Sequence, residues 1–189
     1  MTDINILKLK DSFFDLLRSV NRHHTENILN DLDSIGFFES PASRKDHLSY
    51  PGGLLKHSLN VYRVSTLLAN DMRLIRPDLH ISKKSIIVSS LLHDVCKAGR
   101  YLLNSEGEYV KDYTLFPAGH GEASVIFLLE RGFPLTEDEI LAIRYHMGPW
   151  MLPSNEEVQN VYRQACLLHA LVPILYAADS LAAQVLEVE

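Results

Sequence analysis

Ile6, Leu9, Phe13, Leu16 and Leu17 recur at three- and four-residue spacing, which predicts an amphipathic helix over residues 3–20. A second, shorter helix follows over 25–35, with Gly36 placed to end it. Pro41, Pro51 and Gly52-Gly53 then interrupt the pattern, and residues 39–53 read as a loop. A long helix over 54–75 comes next, closed by Arg76-Pro77. Ser82 is placed to cap a helix over 83–97, and Gly99 suits its C-terminal cap. Ile86, Ile87, Val88, Leu91 and Leu92 make that helix apolar nearly all round, so it belongs at the centre with neighbours on several sides.

Residues 101–103 and 108–113 flank Asn104-Ser105-Glu106-Gly107, which predicts a small β-hairpin near 101–113. His120 opens a helix to about residue 131, ended by Gly132. Thr136 with Glu139 forms a capping-box pattern that starts a helix running through His146. Ser154 with Glu157 repeats the pattern before a last helical region reaching about residue 186, which Pro173 is expected to break or kink. With no internal repeat, low-complexity tract or linker, the chain reads as a single all-α domain over 1–189. The N-terminal helices occupy 1–40 and the core 41–186.

Composition adds bounds. The chain has 189 residues, 47% of them hydrophobic, enough to bury a real core in one domain. No apolar run is long enough to span a membrane, and residues 1–4 lack the features of a signal peptide, so a cytoplasmic location is expected. Cys96 and Cys166 form no Cys-x-x-Cys motif and read as reduced core residues. The net charge of −6 argues against a wide basic face tracking extended nucleic acid. It leaves room for a local phosphate pocket or a single strand end.

His93-Asp94 changes the picture most. An imidazole and a carboxylate at the end of an apolar helix are costly unless something holds them, and a metal ion is the simplest holder. His57, His120, His146 and Asp179 each lie on a separate predicted helix and can complete one or two sites. Asp179 stands in the apolar and small-residue stretch 175–183, where a lone carboxylate needs a partner. The expected arrangement has His57, His93, Asp94 and Asp179 around one ion. Asp94, shared, holds a second with His120 and His146. Such donors suit Fe, Mn, Ni, Co or Zn alike. Lys97 lies one turn beyond His93, either steadying a phosphate or leaving group, or simply solvated at a helix end. Arg44, His47 and Lys56 in the 39–53 loop either offer donors to phosphate or are the charges of an ordinary turn. His80 and His169 read as surface or satisfied core histidines, and His23-His24 as solvent-facing.

The ordered set His57, His93-Asp94, His120, His146, Asp179 resembles the HD-domain metal-dependent phosphohydrolase superfamily over residues 41–183. The resemblance implies an all-α HD-domain helical core and hydrolysis of a phosphoester or phosphoanhydride. His120 and His146 match the two-metal variants, which include diadenosine-tetraphosphate hydrolases and HD-GYP phosphodiesterases. No Gly-Tyr-Pro signature follows the metal motifs. Residues 40–47 and 51–57 are also similar to the catalytic domain of YhaM-type 3′→5′ exoribonucleases and to HD-type conjugative relaxases. Those carry a His-His pair where this chain has Asp46-His47.

The function expected is therefore a metal-dependent phosphohydrolase with one or two divalent transition-metal ions and a metal-bound hydroxide as nucleophile. Asp94 and Lys97 would be catalytic, and Arg44, His47 and Lys97 would bind substrate. Acidic charge favours a small phosphorylated substrate, a nucleotide or short nucleic-acid end, with no membrane partner. The alternatives are a non-catalytic nucleotide-binding or regulatory module and 3′→5′ exonuclease or relaxase-like action on single strands. A hydrolysis screen and a metal analysis separate them.

Overall fold

Helix α3 (Gly53–Ile75) is the long element around which the rest is arranged in the computed structural model, which describes residues 3–111 and 119–188. Before it come α1 (Asp3–Ser19) and α2 (Thr25–Ser34), and after it α4 (Lys83–Leu92) and a single 3-10 turn, Val95–Lys97. A hairpin of β1 (Tyr101–Leu103) and β2 (Tyr109–Lys111) pairs Tyr101 with Lys111 in antiparallel register. Then follow α5 (His120–Glu130), α6 (Glu137–Tyr145), a 3-10 turn at Pro149–Met151, α7 (Glu156–Leu168), α8 (Leu171–Leu181) and a π-helical turn, Ala182–Leu186. The all-α core and small hairpin expected from the pattern are both present. The hairpin residues expected at 112 and 113 lie outside the described residues.

Helix α4 is central for the reason its sequence suggests. Every residue from Ser85 to Leu92 is buried, and the helix packs against α1, α3, α6 and α8. Its Val88, Leu91 and Leu92 join a cluster with Phe13, Phe37 and Phe38, whose rings meet at 5.2–5.5 Å between centroids. Such ring pairs add about 0.5–1.5 kcal/mol each beyond their area. On another side Ile86 joins Val61, Ala142, Tyr145 and Leu175, a cluster that ties α3, α6 and α8 together. Among the described residues no single helix is long and apolar enough to cross a membrane.

Four local details differ from expectation. Helix α4 stops at Leu92 instead of running to Lys97. Asp94 leaves helical geometry (φ −114°, ψ 20°), and the chain tightens into the 3-10 turn, with the Lys97 N–H donating to the Asp94 carbonyl. Helix α6 ends at Tyr145, so His146 is its C-cap. Helix α7 is capped by Asn155, not Ser154, because the Asn155 side-chain oxygen accepts from the N–H groups of both Glu157 and Val158. Finally, the bend in the last region falls at His169-Ala170, where α7 and α8 meet at 100°. Pro173 lies in the first turn of α8, where its missing N–H interrupts no helical bond.

One glycine sets a close approach. A Cβ on Gly121 would collide with the Arg144 carbonyl, so the start of α5 can lie directly against the end of α6. That contact brings His120 and His146 to the same end of the core.

Candidate metal centre

The ends of α4 and α6, the start of α3 and the middle of α8 meet in one buried place. His57, His93 and His146 are wholly buried and Asp94 nearly so, while the Asp179 side chain is 17% exposed. His57 Nε2 lies 3.3 Å from His93 Nε2 and 3.0 Å from Asp179 Oδ1. Asp94 Oδ2 lies 3.3 Å from His93 Nε2 and 3.8 Å from His57 Nε2. Donors bound to one ion at ~2.0–2.2 Å stand roughly 2.8–3.6 Å apart, so three of these four separations fit a shared cation and the 3.8 Å one is slightly wide. The break after Leu92 makes this possible, since adjacent residues on a continuous helix would diverge by about 100°.

The imidazoles are held from behind. His93 Nδ1 is 2.9 Å from the Ser90 carbonyl, and His146 Nδ1 is 2.7 Å from the Ile143 carbonyl. A carbonyl only accepts, so each Nδ1 carries the proton and each Nε2 faces the centre with its lone pair. His57 Nδ1 instead donates to Glu187 Oε2 at 2.9 Å. On the far side, His146 Nε2 is 3.4 Å from Asp94 Oδ1, and neither atom has a hydrogen-bond partner among the described residues. Buried polar atoms left without partners are what a cation site looks like before its ion is added.

His120 is placed beside this second half of the centre. Its Nδ1 is 3.4 Å from the Cys96 Sγ, and Asp94, Cys96 and His120 offer ligand atoms within 4.8 Å of one another. All of the predicted metal-ligating residues are therefore brought together, with Asp94 in the middle. Cys96 and Cys166 are free and half-buried.

Charges in the centre are mutually dependent. Burial would lower the His57 pKa, but Asp179 on one ring nitrogen and Glu187 on the other outweigh it and push the value up to about 9. Burial likewise opposes the ionised form of Asp94, yet Lys97 and the histidines hold its carboxyl well below the usual range. The Lys97 ammonium touches Asp94 Oδ2 at 2.6 Å and stays charged despite burial. Burial, and next the Asp94 charge, push the Cys96 thiol up to about 11.

A cavity opens beside the centre, lined by Arg44, His47, Lys97, Tyr101, His120 and Met147 among others. Arg44, His47 and Lys97 are thus neighbours there. The His47 ring packs on His57 with centroids 5.0 Å apart. Lys56 is not brought in, because its ammonium is bonded to the Tyr50 hydroxyl at 3.2 Å and it lines a different hollow. His80, His23 and His24 are exposed, and His169 is paired with Asp138 at 2.6 Å. Sequence reasoning missed Glu187. The tail Val185-Leu186-Glu187-Val188 carries no helical stripe, and only the π-helical turn aims the carboxylate inward.

Residues 54–184 match the HD domain family. Over 104 residues the chain is 30% identical to a dihydroneopterin 2′,3′-cyclic phosphate phosphodiesterase of Methanocaldococcus jannaschii. That stretch is 55% of this chain and 41% of the relative. No solved structure matches the chain.

Proposed function

This chain belongs to the HD domain family, and from that premise we propose that it is a metal-dependent phosphohydrolase acting on a phosphodiester of a small phosphorylated compound. The observation that carries this reading is the convergence of His57, His93, Asp94, His146 and Asp179, two of whose buried atoms lack partners, beside a cavity lined by Arg44 and Lys97. We assign one divalent ion to His57, His93, Asp94 and Asp179, and a second to Asp94, His120 and His146. Divalent ions there would polarise a phosphoryl oxygen and acidify a water.

The chain's own residues supply the rest. Lys97 lines the cavity with a buried positive charge, which offsets charge that develops on a phosphoryl group. Arg44 is exposed on the rim, and its fork of donors suits a phosphate entering from solvent. His47 is half-buried, so its ring walls the cavity against His57. The M. jannaschii relative is named for a cyclic phosphate on a dihydroneopterin, which supports a cyclic or linear phosphodiester on a heterocyclic group, nucleotides included, as the substrate class. The net charge of −6 favours such a small molecule over extended nucleic acid.

The test is hydrolysis of bis-p-nitrophenyl phosphate and a panel of 2′,3′-cyclic nucleotides with added Mn, Fe, Co, Ni or Zn. Turnover that disappears in His93→Ala and Asp94→Ala supports the reading. No turnover with any metal overturns it.

A further inference from the structure

Glu187 also lies against the centre, although it belongs to neither the ligand set nor the 39–53 loop. It sits just past the π-helical turn that prolongs α8, and that turn packs on α3. Its side chain is wholly buried. Oε2 lies 2.9 Å from His57 Nδ1, and Oε1 accepts from Asn60 Nδ2, also at 2.9 Å. The same Oε2 is 3.8 Å from His47 Nε2.

A buried carboxylate is tolerated only where its oxygens find donors. Here α3 offers two, from His57 and from Asn60 one turn further on, so the same helix grips both oxygens. A carboxylate only accepts, so the ring proton of His57 must be on Nδ1. Nε2 then faces Asp179 Oδ1 and His93, the side on which an ion would be held. His93 and His146 achieve the same orientation with backbone carbonyls. Among the described residues, only His57 of these three has a carboxylate behind it. A carboxylate draws the ring proton more strongly than a carbonyl does, which makes Nε2 the better donor.

We infer that Glu187 is the positioning residue of the metal centre, fixing the tautomer and aim of His57 through Nδ1 and itself fixed by Asn60. This rests on the reading of the site as a metal centre. Asn60 acts at one remove, since it sets the direction of the carboxylate and so the direction of the ring.

The experiment is titration of metal-stripped full-length protein with Zn and Mn, together with nitrogen-15 spectra of the histidine rings in the zinc-loaded protein. Wild-type protein is expected to take up metal with His57 protonated at Nδ1. Glu187→Ala should weaken binding by about 10–100-fold, the usual loss when such a carboxylate is removed. Glu187→Gln keeps an acceptor oxygen and should lose less, and Asn60→Ala should fall between wild type and Glu187→Ala. Unchanged affinity in Glu187→Ala overturns the inference while leaving the metal centre intact. Equal losses in the Ala and Gln variants, with helical circular dichroism lost in both, also overturn it, because Glu187 would then only hold the tail. No metal uptake by the wild type would defeat the metal-centre reading, and this inference with it.

Discussion

Asp94 Oδ1 and His146 Nε2 face each other across 3.4 Å, both buried and both without a hydrogen-bond partner among the described residues. With Nδ1 committed to the Ile143 carbonyl, a ring without a second proton turns a lone pair toward another lone pair, and Asp94 accordingly raises the His146 pKa against burial. Leaving buried groups in that state costs about 1–3 kcal/mol each. A cation between them removes the cost, and Asp94 serves the His57 and His93 side through its other oxygen.

Three variants should therefore separate in elemental analysis. His146→Ala is expected to lose the ion on its own side and keep the other. His57→Ala should show the converse. Asp94→Asn should lose both, with phosphodiester turnover falling by at least about 10²-fold. Equal metal content in all three would contradict a shared Asp94.

Metal-free protein should lose stability toward alkaline pH. His57 titrates at about 9 in the folded chain against an ordinary 6.5, so the fold binds its proton more tightly than the unfolded chain does. The contribution is full below pH 6.5 and fades as pH rises through about 9. It is of the order of 3 kcal/mol. Urea midpoints of stripped protein at pH 6 and pH 9 measure it. Adding metal should flatten the dependence, because the ion takes the place of the proton on Nε2.

Lys97→Met should spare metal content but slow turnover by about 10²–10³-fold, since it removes a buried positive charge aimed at the cavity. Steady-state kinetics alongside elemental analysis check this. Metal lost in step with activity would make Lys97 a support of Asp94 only.

Arg22→Ala tests the scaffold apart from the centre. The Arg22 guanidinium meets the fully buried Glu139 carboxylate with both nitrogens, at 2.5 and 2.6 Å, and also donates to the Pro134 carbonyl. Its loss should destabilise the fold by about 3 kcal/mol, the low end for a broken buried pair. Glu139 keeps the Thr136 N–H as a partner, which limits the damage. Thermal melts should shift while metal stoichiometry does not.

Much of this was legible in the chain because periodicity and burial speak together. The all-round apolarity of residues 86–92 does place α4 at the centre, and Asp179 among small apolar residues does sit beside a partner. The Thr136 and Glu139 box caps α6 as its spacing predicts. What escaped was decided by tertiary contacts. Nothing local to Leu92-His93-Asp94 marks where α4 gives way to a 3-10 turn, yet that break lets adjacent side chains share one target. Ser154 and Asn155 are equally good caps by type, and it is the second whose side chain accepts from the Glu157 and Val158 N–H groups. Glu187 reads as one more charge in a polar tail until the π-helical turn aims it at a ring 130 residues away.

That separation has a bearing on synthesis. His57, His93 and Asp94 are synthesised well before Asp179 and Glu187. A segment that ends before α8 lacks the Asp179 and Glu187 carboxylates that pair with His57. Docking of α8 on α3 then brings Asp179 to His57. The donors that an ion would meet are thus presented together by the folded chain and by no shorter stretch of it.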